Sequence, residues 1–144
     1  AALEEGIVPG GGTSLARAAG IAQKKLDESS FDRDALMGYH VVLRACEEPL
    51  KQLANNVGKD DGAVIVQKVK DAGGNAGYDA VKAQIIPDMI AAGIIDPVKV
   101  ERAGIQHAVS AAAVLLTSEV AIADLPEPEK APAPDMGGMG GGMY

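Results

Sequence analysis

Aromatic residues are scarce in this chain: its 144 positions hold one phenylalanine, three tyrosines and no tryptophan. A core must be filled mainly by Ala, Val, Ile and Leu, and a hydrophobic content of 47% suffices for one modest domain or part of one. A single cysteine, Cys46, excludes an internal disulfide and any multi-cysteine metal site, and fits a reducing compartment. Without a reactive motif around it, Cys46 reads as a small core residue. Positive charge is in deficit as well. Thirteen Lys and Arg against twenty Asp and Glu give a net charge of −7, which leaves no basic patch for nucleic acid or for an anionic membrane. Much of that charge falls from Glu119 onward, where five acids face one base. Long apolar runs are missing too: Ala111 to Leu116, with Ala108 and Val109 just before, falls far short of the roughly 20 residues that span a bilayer. The opening AALEEG lacks the basic and apolar regions of a signal peptide and reads as the last turn of a helix that starts earlier.

Glycine is plentiful, and three stand together in GIVPGGGTSL, residues 6–15, directly ahead of a helix start. Such a run marks a left-handed turn or a backbone that something must approach closely, and a nucleotide phosphate is the first candidate. The generic motifs speak against it. A P-loop, G-x-x-x-x-G-K-[ST], needs a lysine that GGGTSLAR lacks, and G-x-G-x-x-G is missed because Thr13, Ser14 and Leu15 follow Gly12. On local chemistry alone, the glycines let the chain turn tightly between two packed helices. Other catalytic arrangements fare worse: His40 and His107 stand far apart without a Ser or Cys motif, and neither H-E-x-x-H nor clustered metal ligands occur. His107, on an apolar helix, reads as a hydrogen-bonded core histidine.

Helical signals dominate the chain. Thr13 or Ser14 can cap a helix to about Leu26, with Leu15, Ala18, Ala19 and Ala22 on one face. From Asp32, apolar Leu36, Tyr39, Leu43, Cys46, Leu50, Leu53 and Val57 alternate spacings of three and four, predicting one long amphipathic helix that Pro49 kinks without ending. Ala63 to Lys70 is short enough for helix or strand, helix being favoured. Residues 71–80 combine loop chemistry with a short extended piece, and Ile85-Ile86-Pro87-Asp88-Met89-Ile90 begins another helical turn. The clearest start signal is Asp96-Pro97, an N-cap with proline at the first helical position, opening a helix to about Ser118. That helix is apolar nearly all round after His107 and should be buried. Glu119 to Asp124 reads as a strand without a matching hairpin in the chain, so its partner is expected on absent residues or another subunit. The remainder, PEPEKAPAPDMGGMGGGMY, is too poor in bulky apolar residues to pack and is expected to be disordered.

Several stretches in order, EEGIVPGGG, ALMGYHVVLRACEEPLKQLANN, GYDA, GIIDPVKVERAGIQHA, SEVAIADLP and the Gly-Gly-Met tail, resemble the C-terminal part of a group I chaperonin over nearly the whole chain. The resemblance implies a mainly α fold. Residues 1–125 would be the second half of an ATP-binding equatorial domain, helical with one or two short β-strands, followed by a disordered tail over 126–144. For the intact protein it implies an ATP-hydrolysing chaperone that encapsulates and refolds non-native polypeptides. Its homo-oligomer would be seven-membered rings stacked in pairs, working with a co-chaperonin lid. The implied setting is the bacterial cytoplasm, or else a mitochondrial matrix or plastid stroma, with no part for nucleic acid or membrane.

Residue by residue, the resemblance assigns Gly10 and Gly11 to the nucleotide sugar, where a Cβ would intrude, and Asp96 to the ribose hydroxyls, from which a carboxylate accepts. Asp79, Ala80 and Val81 match the adenine-facing segment. A well-known version of that segment has Asn where this chain has Asp79, which can accept from the adenine amino group but cannot donate back. ATP or ADP is the implied cofactor, with Mg and K held by ligands outside these residues. The family's phosphate-binding Asp-Gly-Thr loop, its catalytic aspartate and its polypeptide-gripping apical domain have no counterpart here, so the chain alone is expected to be inactive. Two alternatives remain open at the level of sequence. Asp96 could be an N-cap, a ribose acceptor or both, and the chain could be a helical scaffold module whose acidic tail binds partners without any nucleotide site.

Overall fold

The computed structural model describes residues 1–125, so the disorder expected over 126–144 lies outside the described residues. Six α-helices and four three-residue strands follow one another as α1 (Ala2–Glu5), β1 (Ile7–Pro9), α2 (Thr13–Lys25), α3 (Arg33–Ala45), α4 (Glu48–Val57), α5 (Gly62–Ala72), β2 (Gly77–Asp79), β3 (Gln84–Ile86), β4 (Ile95–Pro97) and α6 (Val98–Leu116). The mainly α class expected from the sequence is the one observed. A single turn of 3₁₀ helix, Glu28–Ser30, joins α2 to α3.

Side-chain caps set two of the helix starts. Asp32 accepts from the Ala35 amide at 2.8 Å to open α3, and Asp61 accepts from the Ala63 amide at 2.7 Å to open α5. The second confirms helix, rather than strand, for the ambiguous stretch that Ala63 begins. Pro49 does more than kink: the expected helix over 32–57 is two helices, with a break at Cys46 and Glu47. Proline has no amide to donate and its ring crowds the carbonyl four residues back, here Ala45, where α3 stops. The break leaves Pro49 in the first turn of α4, where a missing donor does no harm.

Another boundary moves because of a proline. Pro87 pushes the residue before it into extended geometry, so Ile85 and Ile86 form β3 rather than a helical turn. The turn begins instead at Asp88, whose side chain accepts from the Ala91 amide at 2.9 Å. At the head of α2 neither Thr13 nor Ser14 is the cap: Gly12 occupies that position at φ 76°.

The core lies where α2, α4, α5 and β2 meet. Ala16, Leu50, Ala54, Ile65, Val66, Val69 and Tyr78 form one buried cluster, with Val57, Ala80, Ala83 and Ile85 against its edge. Small residues on α2 admit close approach, and its buried positions are Thr13, Ala16 and Ala19 rather than the face centred on Leu15. Both strand pairs are antiparallel: β1 with β4, and β2 with β3. Three strands had thus escaped the sequence reading: β3, read as a helical turn, and β1 and β4, which are short and end in proline.

The last helix overturns an expectation. No residue of α6 is buried, and Val114, Leu115 and Leu116 are 64%, 71% and 87% exposed. Its first two turns are held to α1 by a bidentate pair, Arg102 to Glu5 at 2.6 and 3.1 Å, and by Lys99 with Glu4. Thereafter it runs beyond the packed body, and His107 is exposed, not a core histidine. Residues 119–124 adopt no strand, and Val120 and Ile122 stand open to solvent. No helix among the described residues is long and apolar enough to cross a membrane.

Gly12 and Gly38 predict opposite outcomes. A Cβ at Gly12 would stand 2.7 Å from the Leu50 amide nitrogen, on a left-handed residue. Gly12→Ala should therefore lower unfolding stability by about 2 kcal/mol or more. Gly38 lies inside α3 with nothing within 4 Å of its Cβ position, so Gly38→Ala should raise stability by about 0.5–1 kcal/mol. Urea titration of both variants checks the pair.

Candidate functional site

The glycine turn and Asp96 meet across the β1–β4 pair. The register sets Val8 opposite Asp96 and Pro9 opposite Ile95, and the next residue, Gly10, donates its amide to the Ile94 carbonyl at 2.9 Å. One step on, the Gly11 amide donates to Asp96 Oδ2 at 3.0 Å. Asp96 is therefore not a helix cap. It belongs to β4, while α6 begins at Val98 behind Pro97 with no side-chain cap. The strand pairing aims its carboxylate at the glycines instead of the helix amides.

Each of the three glycines answers a different constraint. A Cβ on Gly10 would lie 3.0 Å from the Ile95 carbonyl carbon and 3.1 Å from Asp96 Oδ2. Gly11 sits at φ 65°, a left-handed conformation, with ordinary contacts to Leu53 and Met89. Gly12 is the position at which α2 packs on the Leu50 backbone, so the tight turn between packed helices is real there. Behind the turn, Ser14 Oγ donates to both oxygens of Glu101 at 2.6 and 2.5 Å. Burial pushes the Glu101 carboxyl above its ordinary value, the Ser14 bond opposes this, and the Asp96 charge adds to it. Sequence reasoning missed Ser14 and Glu101 as a pair because they lie 87 positions apart.

Asp79, Ala80 and Val81 lie at the turn of the β2–β3 hairpin. Asp79 is 4% exposed, yet its carboxylate is committed locally: Oδ1 accepts from the Val81 and Lys82 amides at 3.0 and 3.2 Å, and Oδ2 lies 3.4 Å from Lys82 Nζ. Of the three, Ala80 packs against the core edge, whereas Val81 is 96% exposed.

A continuous line of backbone hydrogen bonds joins this hairpin's approach to the glycine turn. The Met89 amide donates to the Asn75 carbonyl at 2.8 Å, the Ile94 amide to the Met89 carbonyl at 2.9 Å, and the Gly10 amide to Ile94. Met89 is wholly buried, with its Cε 3.8 Å from the Cβ position of Gly11 and its Cγ 2.6 Å from that of Gly77. Gly77 and Asp79 share one face of β2, since side chains alternate along a strand. The face that carries Asp79 is thus the one turned toward Met89 and the head of α2. Met89 carried no signal beyond its apolarity.

Neither histidine belongs to this arrangement. Cys46 is half-buried beside an apolar groove of about 460 Å³ between α3 and α6, and burial pushes its thiol above the usual range. Among the described residues no three His, Cys, Asp or Glu side chains are grouped as metal ligands would be.

The backbone amide of Lys82, ahead of its side chain, holds the Asp79 carboxyl below the ordinary carboxylate value. A pKa lower in the folded than in the unfolded chain gives stabilisation that is full above the unfolded value, about 4, and is lost as pH falls through the folded value. Asp79→Asn keeps an acceptor for both amides. The protection of the Val81 and Lys82 amides, measured as hydrogen exchange relative to the intrinsic rate at each pH, should therefore fall below about pH 4 in the wild type, and this acid response should vanish in the variant.

Residues 1–125 match the TCP-1/cpn60 chaperonin family. Among solved structures, an open-state monomer of a group II chaperonin from Methanococcoides burtonii superposes with a TM-score of 0.67 at 22% sequence identity, over 78% of this chain and 28% of that one. The likeness in fold is to a group II member, and this chain spans little more than a quarter of its length. A family match that runs from the first residue to the last described one, through the glycine turn, the hairpin and Asp96, makes this chain a member of the TCP-1/cpn60 chaperonin family.

Proposed function

We propose that this chain is the second half of the equatorial, nucleotide-binding domain of an ATP-driven folding chaperone, and that it supplies the sugar and base side of the pocket. The observation that carries the reading is the contact of the Gly11 amide with Asp96 Oδ2, beside a Gly10 whose Cβ position is already filled by Ile95 and Asp96. A carboxylate offers about four lone-pair directions. One is taken by Gly11, which fixes the group's orientation and leaves the others for two ribose hydroxyls. Gly10 and Gly11 present bare backbone where the sugar would lie, and Ala80 and the hairpin backbone would face adenine. A bound nucleotide would bring the phosphoryl group whose hydrolysis drives the chaperone. These residues orient the nucleoside; no general base stands among the proposed contacts.

The group I assignment rests on sequence, on EEGIVPGGG, GIIDPVKVERAGIQHA and the Gly-Gly-Met ending, and is offered as the finer reading of the family. With it go the intact protein's proposed properties: paired seven-membered rings, a co-chaperonin lid, non-native polypeptide as substrate, Mg and K beside the ATP, and bacterial cytoplasm as the setting. The scaffold alternative is disfavoured by the convergence of Gly11 and Asp96, which it has no reason to require.

Nucleotide affinity of the intact subunit tests the reading. Asp96→Ala should weaken ATP by about tenfold or more, since two hydrogen bonds to a charged acceptor are lost. It should leave 2′,3′-dideoxy-ATP, which has no ribose hydroxyls to lose, at wild-type affinity, so that the variant binds both nucleotides alike. Equal weakening of the two nucleotides, or loss of partner binding only on removal of residues 126–144, would favour the scaffold. The 144 residues alone should show no ATP turnover above background in a phosphate-release assay; turnover abolished by Asp96→Ala contradicts this.

A further inference from the structure

Helix α2 starts at the glycine turn, and one turn along it stands Arg17. Its guanidinium is inserted into the loop that leads from α5 to β2. Nη2 donates to the carbonyls of Val69 at 3.2 Å and Gly73 at 2.9 Å, and also to that of Ala76, while Nη1 donates to Gly74. Val69 is among the last four residues of α5, whose carbonyls have no partner within the helix. Gly73 and Gly74 adopt left-handed conformations at φ 65° and 57°, which turn the loop around the guanidinium. Thr13, four residues earlier on the same face, packs on β2 itself, its Oγ1 2.6 Å from the Cβ position of Gly77. One helix therefore begins at the proposed sugar contacts and, with its first two turns, fixes the entry to the hairpin.

We propose that Arg17 is the positioning residue that holds the segment Asp79 to Val81 at a set distance from the glycine turn, and so determines preference for the adenine base. The inference rests on the nucleotide reading above. Hydrogen-bonded recognition of a base discriminates only when donors and acceptors are held to a fraction of an ångström. Asp79 cannot set that position from outside, since its carboxylate is committed to the turn it sits in. Arg17 touches no nucleotide and acts through the loop. Its planar fork serves four carbonyls at once, which the compact ammonium of lysine cannot match.

The test is calorimetric titration of the intact subunit with ATP and with GTP. Arg17→Lys is compared with the wild type and with Ile65→Val, a core change elsewhere in the same cluster. Arg17→Lys should weaken ATP by about tenfold and leave GTP within about twofold, while Ile65→Val shifts neither preference. Arg17→Gln, which keeps a planar donor, replaces Arg17→Lys should the latter not fold. Equal weakening of both nucleotides, an unchanged ratio, or failure of both Arg17 variants to fold where Ile65→Val folds assigns Arg17 to stability alone and overturns the proposal. A wild type that binds neither nucleotide overturns the nucleotide reading itself. A wild type that binds both alike leaves that reading standing and removes only the role of Arg17.

Discussion

The hydrogen bond from the Gly11 amide to the Asp96 carboxylate ties the two ends of the folded body together. It exists because β1 and β4, only three residues each, pair in one register across 85 positions of sequence. A slip of one residue would turn Asp96 to the opposite face of the ribbon. The register is protected by close packing at the glycines, where a side chain on Gly10 would crowd Ile95 and Asp96 and one on Gly12 would collide with the Leu50 backbone. What looks like a flexible turn is among the most crowded places in the molecule.

From that contact the order spreads in two directions. The backbone line through Gly10, Ile94, Met89 and Asn75 reaches the loop ahead of β2, and Arg17 reaches the same loop from α2. Buried Met89 fills the space between, touching both glycine-bearing segments. Two short hairpin-like pairs that would be marginal alone are thereby held against a helical cluster of α2, α4 and α5. The proposed site inherits its geometry from backbone and packing more than from any one polar side chain.

The far end of α6 shows the opposite condition. Its apolar residues have no cover among the described residues, and besides the Ser14–Glu101 hydrogen bond its attachment is made by charges in the first two turns, where Glu4, Glu5, Lys99 and Arg102 meet in water. Exposed ion pairs of this kind contribute little each, so they orient the helix more than they stabilise it. The groove between α3 and α6 is apolar on both walls for the same reason: both helices keep faces that the body does not reach.

Much of the architecture was legible in the chain. The helix start near Asp32, the helix from Ala63, the amphipathic spacing of α4 and the turn chemistry near Gly73 are local, and local signals survive into the fold because they act between residues a few positions apart. The family resemblance likewise brought Gly11 and Asp96 together before any coordinates did. What the sequence could not decide was every choice between two local options. Asp96 had good cap chemistry, but a partner strand claimed it; Ser14 could cap α2, but Gly12 holds that position and the Ser14 hydroxyl donates to Glu101; Asp79 could face a ligand, but its own turn amides took its oxygen. The apolar run of α6 declared a need for burial without showing that this chain would meet it. Periodicity and capping are properties of the chain, whereas partner choice is a competition among groups that only the folded arrangement brings within reach.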